Sequence, residues 1–222
     1  MTIKIITTSD GSHSLLNTDL NETYHSNHGA LQESIHVFIN HGLKFLIETY
    51  SPNSVNIFEV GFGTGLNALL TLQQSINSDI IFNYTSIEAF PLEKDIWSEL
   101  NYGSAVGMQE QFKQLHEAVW NTWVEINPNF RLRKLNDTLQ EISLENEAFN
   151  LIYFDAFAPS KQPEMWEMRI LQKMVQIMTT KSVFVTYCAK GQLKRDLKSL
   201  GLDIETLTGP PGKKEMVRGL KK

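Results

Sequence analysis

Three groups of residues in this chain have the types and spacing to act chemically together. Gly61, Gly63 and Gly65 form a G-x-G-x-G loop directly after an apolar run that ends in Glu59-Val60. Glycines at such positions let the main chain approach a ligand closely, and a helix beginning at Leu66 would turn its first amides toward the same point. A dinucleotide loop would read G-x-G-x-x-G, but position 66 is Leu, so the spacing favours a nucleotide-like ligand that lacks a pyrophosphate. Glu88 closes a second apolar run. An ionised carboxylate only accepts hydrogen bonds, which suits a pair of ribose hydroxyls. Asp155 closes a third run and opens Asp155-Ala156-Phe157-Ala158-Pro159: an acceptor for amine protons, an aromatic ring and a proline that fixes a turn. Each group also has a plainer reading, as a tight strand-to-helix turn, a solvated strand-end glutamate and a loop cap. Asp137 either reaches an adenine amine or caps a helix before Leu139.

The intervening patterns predict the elements that must position these groups. The first 28 residues are polar and turn-rich, with Asp10-Gly11 as a turn between short β-capable pieces. A helix is expected over Leu31–Thr49, where Ile35, Phe38, Ile39, Leu43, Leu46 and Ile47 share one stripe. Strands are expected over Val55–Val60, Ile80–Ile87, Phe130–Leu135, Leu151–Phe154 and Ser182–Tyr187. Helices are expected over Leu66–Ser75, Leu92–Tyr102, Gln109–Ile126, Thr138–Ser143, Glu164–Met178 and Gln192–Leu200. Two final strands, Leu202–Leu207 and Glu215–Gly219, flank the turn Gly209-Pro210-Pro211-Gly212 with no helix between them. Alternation of this kind predicts a doubly wound, mostly parallel α/β sheet with an antiparallel C-terminal edge hairpin. That hairpin separates class I (Rossmann-like) methyltransferases from the plain dinucleotide fold. Ligands of such sheets bind beyond the carboxyl ends of the strands, where the glycine loop, Glu88 and Asp155 would all lie. An S-adenosyl-L-methionine site is the reading that joins them.

Composition narrows the setting. The 222 residues are 41% hydrophobic and 20% charged, which fits one ordinary soluble domain. The single cysteine, Cys188, excludes an internal disulfide framework, and the six histidines show no metal-ligand spacing. No metal is expected. No stretch has the length of a membrane span, and the N-terminus carries no apolar signal-peptide core, so a cytoplasmic protein without a membrane partner is expected. The net charge of −5 is uneven: from Lys190 to Lys222 nine Lys or Arg face four Asp or Glu. A basic end on an acidic body permits a local anion contact, or is simply a solvated helix face.

The motifs are also similar to those of a known family. Tyr24-His25-Ser26-Asn27-His28-Gly29-Ala30-Leu31-Gln32-Glu33-Ser34, Gly61-Phe62-Gly63-Thr64-Gly65-Leu66-Asn67, Glu88-Ala89-Phe90-Pro91-Leu92, Phe154-Asp155-Ala156-Phe157-Ala158-Pro159-Ser160-Lys161-Gln162-Pro163-Glu164-Met165-Trp166 and Gly212-Lys213-Lys214-Glu215-Met216-Val217-Arg218-Gly219 occur in order along the chain. Together they resemble the methyltransferase domain of the MnmC family, which completes 5-methylaminomethyl-2-thiouridine at the tRNA wobble position. The family usually has Gly where Ala156 stands and Lys or a similar residue where Ala89 stands. Neither change removes a proposed catalytic group. The fused FAD-dependent oxidoreductase half of bifunctional members has no counterpart here, so a stand-alone methyltransferase domain is expected, residues 31–222, with residues 1–30 as a β-rich extension packed on it.

The resemblance implies methyl transfer from S-adenosyl-L-methionine to the primary amine of 5-aminomethyl-(2-thio)uridine, with the tRNA anticodon loop as partner. The expected cofactor set is Glu59, Gly61, Gly63, Thr64, Gly65, Asn67, Glu88, Asp137 and Asp155, with Asp155 also the catalytic acceptor. Phe157, Trp166 and Tyr187 would wall an apolar amine pocket, and Pro159, Lys161, Lys213 and Lys214 complete the substrate set. Lys190, Lys194, Arg195 and Arg218 are further candidates for phosphate contacts, or plain surface charges. Asn27-His28-Gly29 either closes over the cofactor or is merely polar chain before the first helix. The rival readings are methylation of a small-molecule amine, a nicotinamide-dependent oxidoreductase, disfavoured by the glycine spacing, and a tRNA-binding module without catalysis.

Overall fold

The structure, a computed structural model, describes residues 2–76, 78–144 and 148–222. Its centre is an eight-stranded sheet in the order β10-β11-β9-β8-β4-β5-β7-β6. These strands are β4 (Ser54–Val60), β5 (Ile81–Ile87), β6 (Trp123–Asn127), β7 (Phe130–Leu135), β8 (Phe149–Phe154), β9 (Met178–Thr186), β10 (Asp203–Thr208) and β11 (Glu215–Lys221). β7, β5, β4, β8 and β9 are parallel, while β6 at one edge and the β10–β11 hairpin at the other run antiparallel. The parallel strands are apolar on both faces because helices cover both. Val55, Ile57, Phe58, Leu151, Ile152 and Phe154 are all fully or almost fully buried. Strand order reverses between β4 and β8, and the carboxyl ends of those two neighbours carry Gly61 and Asp155.

The helix expected over Leu31–Thr49 forms as one continuous run: α1 (Ala30–Ser34), a π-helical stretch (Ile35–Lys44) and α2 (Phe45–Tyr50). Ser51, in the left-handed region at φ 44°, ends it. α3 (Leu66–Ser75) and α8 (Gly191–Ser199) match their sequence patterns closely. A separate three-stranded sheet, β1 (Ile3–Thr7), β2 (His13–Asn17) and β3 (Glu22–Thr23), precedes α1. Among the described residues no helix is long and apolar enough to cross a membrane.

Four helix expectations are corrected. The helix expected over Gln109–Ile126 stops as α6 (Gln109–Glu117), and Trp123–Asn127 is a strand instead. Asn121 takes a left-handed φ of 62° and donates its N–H to the Lys134 carbonyl. The Arg131 and Arg133 guanidinium groups of β7 then lie 4.7 and 4.8 Å from the Trp123 ring centroid. Cross-strand pairing thus overrides a helical period. Residues Thr138–Ser143 make a turn around the Thr138 carbonyl, not a helix. Leu92–Tyr102 splits into α4 (Lys94–Trp97) and α5 (Tyr102–Ala105). The helix expected over Glu164–Met178 is a 3₁₀ turn (Pro163–Trp166) and α7 (Met168–Ile177), broken where Glu167 is extended at ψ 149°. Met178 already belongs to β9, paired with Phe149.

Candidate active site

The loop after β4 owes its shape to glycine. Gly61, Gly63 and Gly65 have φ of 89°, 49° and 72°, a region that costs other residues about 1–2 kcal/mol each. A Cβ on Gly65 would lie 2.9 Å from His116 Nε2, and one on Gly61 would lie 3.0 Å from the Asp155 carbonyl oxygen. The loop is anchored from both neighbouring strands: Gly61 and Phe62 donate to the Ile87 carbonyl at 3.0 and 3.2 Å, and Asp155 donates its N–H to the Val60 carbonyl at 3.2 Å. α3 follows at once, so its first amides close the same space.

Glu88 is a strut as well as a ligand candidate. One carboxylate oxygen accepts the Gly63 N–H and the other accepts the Phe90 N–H, both at 2.9 Å. Each oxygen keeps a lone pair free, so ribose hydroxyls can still be held. Burial raises its pKa against the pull of these N–H donors. Asp137 is exposed, lines the same cavity and accepts the Thr138 N–H at 2.7 Å. Its expected part as a helix cap falls away because a turn follows.

Opposite the loop, Asp155 accepts from Asn67 Nδ2 at 2.8 Å. Burial, reinforced by the nearby Glu33 carboxylate, pushes Asp155 up to about 7. Beneath it Glu59 is only 1% exposed and accepts from Ser86 Oγ at 2.6 Å; burial pushes it up to about 8. Glu59 and Gly65 do not line the cavity. Glu59 lies under the site and Gly65 shapes the loop. Asn67 is buried, lines the cavity, and its Oδ1 has no hydrogen-bond partner among the described residues. An acceptor left open at this depth suits a donor from a ligand, and the α-ammonium of an amino-acid cofactor is such a donor. With the left-handed loop and the half-used Glu88 carboxylate, the residues present fit S-adenosyl-L-methionine.

The cavity that these residues share measures about 470 Å³. Its far wall holds Tyr24, Glu33, Phe157, Tyr187 and Lys213. Tyr24 and Phe157 meet edge to face with centroids 5.0 Å apart. Tyr187 donates its hydroxyl to the Ala156 carbonyl at 2.8 Å, and Trp166 Nε1 donates to the Phe157 carbonyl at 2.8 Å. Trp166 is buried against Phe154 and Tyr187 and lies outside the cavity lining. It therefore supports the Asp155–Pro159 loop from behind, in place of the wall expected for it. Pro159 and Lys214 line an adjoining groove.

The other basic candidates separate. Lys161 donates to the Leu20 and Asn21 carbonyls at 3.0 Å, fastening the N-terminal sheet. Arg218 is corrected as a phosphate contact: it is 8% exposed, pairs with Glu205 at 2.7 Å and lies 3.4 Å from the Phe45 ring centroid. Lys194 pairs with Glu215 and Arg195 bonds Gln192. Lys190 is exposed beside the groove. His28 is exposed and does not line the cavity; its ring lies against Gly212.

Sequence reasoning missed Glu33 and the cluster behind the glycine loop. Glu33 is buried in the first turn of α1, where an acidic residue ordinarily suits the helix dipole and faces water. Lys134, also buried, donates to the His116 carbonyl at 2.6 Å and lies 4.5 and 5.1 Å from the Trp120 and Phe62 ring centroids. Burial pulls its pKa down to about 8. His116 stacks on Trp97 and donates from Nε2 to the Thr64 carbonyl at 3.1 Å, bracing the loop. Its tautomer follows from that bond, because a carbonyl only accepts.

A parallel sheet with a reversed C-terminal hairpin, a left-handed glycine loop after its first central strand and an acid after the second define a class I methyltransferase fold and site. Residues 107–222 match the model of an S-adenosyl-L-methionine-dependent methyltransferase family. The chain belongs to that family. It is 30% identical over 213 residues to the tRNA 5-methylaminomethyl-2-thiouridine biosynthesis bifunctional protein MnmC of Methylobacillus flagellatus, covering 89% of this chain and 32% of that protein. The protein of the same name from Pseudoalteromonas atlantica is 31% identical, with 91% and 31% covered. The chain thus spans about a third of the length of these curated relatives. Among solved structures, MnmC2 from Aquifex aeolicus superimposes with a TM-score of 0.80 at 24% identity, covering all of this chain and 71% of that one.

Proposed function

We propose that this methyltransferase acts on the primary amine of 5-aminomethyl-(2-thio)uridine at the wobble position of tRNA. The observation that carries the reading is the single cavity in which the glycine loop and Glu88 face Asp155 and Tyr187. The names of the curated relatives support the substrate. A cytoplasmic site of action and the anticodon loop as partner belong to the same reading.

Gly61, Gly63, Thr64, Asn67 and Glu88 would hold S-adenosyl-L-methionine, with Asp137 near its base. That cofactor supplies an electrophilic methyl group on a sulfonium sulfur. An alkylammonium titrates at about 10 in water, and only its neutral form carries a lone pair. Tyr24, Phe157 and Tyr187 exclude water around the amine and so favour the neutral form. Asp155, held by Asn67 Nδ2, accepts an N–H and aims the lone pair across the cavity. An amine that enters as its ammonium becomes reactive by giving one proton to Asp155, whose carboxyl, raised to about 7, is able to keep it; after the attack the methylated nitrogen leaves as an ammonium. Orientation of this kind supplies up to roughly 7–11 kcal/mol of a barrier. A wobble base reaches the cavity only by leaving its stack, which costs least in a single-stranded loop.

The test is to incubate the protein with methyl-labelled adenosylmethionine and undermodified total tRNA, then digest and identify the labelled nucleoside. Label in 5-methylaminomethyl-(2-thio)uridine is expected. No label in tRNA, or label confined to another nucleoside, would overturn the reading.

A further inference from the structure

Lys213 borders two spaces at once. On the inner side it lines the cavity that holds Asp155, where its ammonium pairs with Glu33 and lies 3.8 Å from the Tyr187 ring centroid. On the outer side it lines a groove of about 450 Å³ with Lys190 and Lys214, both exposed. Its side chain is 31% exposed, whereas that of Glu33 is only 6% exposed. The turn that carries Lys213 is closed by its own bonds, Lys213 N–H to the Pro210 carbonyl and Gly209 N–H to the Lys214 carbonyl. Movement of the ammonium therefore needs rotation of the side chain alone.

A buried carboxylate needs a cation. Glu33 has one oxygen on the Ser26 N–H at 2.6 Å and the other on Lys213. Taking Lys213 away with nothing in return would leave a charge stranded in the interior. An ammonium over a tyrosine face and against a carboxylate is also the arrangement that an alkylammonium ligand seeks. The chain thus fills, with its own lysine, a subsite that suits the protonated amine of the substrate.

We propose that Lys213 is an internal occupant of the substrate-amine subsite formed by Glu33 and Tyr187, released when a substrate brings an ammonium for Glu33 and a phosphate for Lys213 in the outer groove. The inference rests on the tRNA reading, since it needs a substrate that carries both groups. It makes Lys213 a specificity determinant: a free nucleoside offers the ammonium but no anion to draw the lysine out. If the lysine sits inside at least nine-tenths of the time, a ligand unable to displace it binds about tenfold more weakly.

The experiment compares kcat and KM for undermodified tRNA and for free 5-aminomethyluridine in the wild type, Lys213→Met, Lys214→Met and Glu33→Gln. Lys213→Met is expected to improve kcat/KM for the nucleoside about tenfold, through KM, while losing on tRNA. Lys214→Met should lose on tRNA without any gain on the nucleoside, and Glu33→Gln should lose on both. In the unaltered protein, inorganic phosphate should raise nucleoside turnover where chloride at equal ionic strength does not, which keeps the test open if Lys213→Met fails to fold. Wild-type turnover of tRNA with no nucleoside gain in a folded Lys213→Met would overturn the inference and leave the tRNA reading intact. So would tRNA turnover with no phosphate activation, should that variant not fold. A wild type that methylates the nucleoside and not tRNA would sink both.

Discussion

The two walls of the cavity are made of different material. Around Gly61–Gly65 the wall is mostly main chain: left-handed glycines and amides at the start of α3, joined by the side chains of Asn67, Asp137 and Glu88, the last bonded to the loop it helps to shape. Around Asp155 the wall is side chains drawn from distant places: Tyr24 and Glu33 before the sheet, Phe157 after β8, Tyr187 after β9 and Lys213 in the last turn. A main-chain wall suits a ligand that is always the same. A side-chain wall can be re-specified residue by residue, as choice among amines requires. If the proposed function holds, binding and selection are lodged in separable parts of one cavity, and perturbations of the two walls should be separable too.

The largest effect should come from the side-chain wall. Asp155→Ala is expected to cut single-turnover methylation by about 10²–10⁴-fold while adenosylhomocysteine affinity, measured by titration calorimetry, stays close to normal. The wild-type rate should rise with pH through about 7 as the Asp155 carboxylate forms, and Asp155→Asn should lose that inflection. Equal losses of turnover and cofactor affinity would break the separation of the walls.

Glu59 lies beneath both walls, and its effect should appear as stability. Its folded-state pKa, pushed up by burial to about 8 from an ordinary 4.5, means that the folded chain holds the proton more tightly. That stabilisation is complete below the ordinary value and is lost as pH rises toward the folded one. Relative to Glu59→Gln, the wild type should therefore lose a few kcal/mol between about pH 5 and pH 8, read from Tm across that range. A pH-independent Tm difference would place the Glu59 carboxyl in a different charge state.

For the main-chain wall, Glu88→Ala should weaken adenosylhomocysteine binding by about 1.5–3 kcal/mol, the worth of hydrogen bonds to a charged group. Part of that loss is indirect, because Gly63 N–H loses its acceptor. Unchanged affinity in a folded variant would remove Glu88 from the cofactor site. The smallest effect concerns the rim. Lys214→Ala should flatten the log-affinity against log-salt slope for tRNA by about 0.7, the value for one phosphate contact on a single strand, whereas Arg218→Ala should leave that slope alone, since its guanidinium is committed to Glu205. Equal slopes in the two variants would mean that the outer groove takes no phosphate.

How much of this was legible along the chain follows from how local each feature is. The glycine loop, Glu88, Asp155, α3 and the C-terminal hairpin all depend on neighbours within a few residues, on a period or on a turn signal, and their positions follow from the order of residues alone. The helix expected over Gln109–Ile126 failed because its second half found a strand partner in β7, an attraction that no local window contains. Arg218 and Lys161 looked like surface cations because composition cannot tell which arginine is buried against a glutamate and an aromatic ring, or which lysine meets a row of carbonyls. Trp166 was placed in the wall because only packing decides which side of a loop a ring supports.

By itself, then, the sequence determined the sheet class, the glycine loop and the acids at the strand ends, since strand periodicity and the left-handed φ of glycine act over short range. Only the tertiary structure decided that Glu33 and Lys213, 180 residues apart, meet over Tyr187 inside the cavity. A carboxylate and an ammonium so far apart in the chain are brought together by the burial of the elements that carry them, and their pairing answers the cost of enclosing one charge alone.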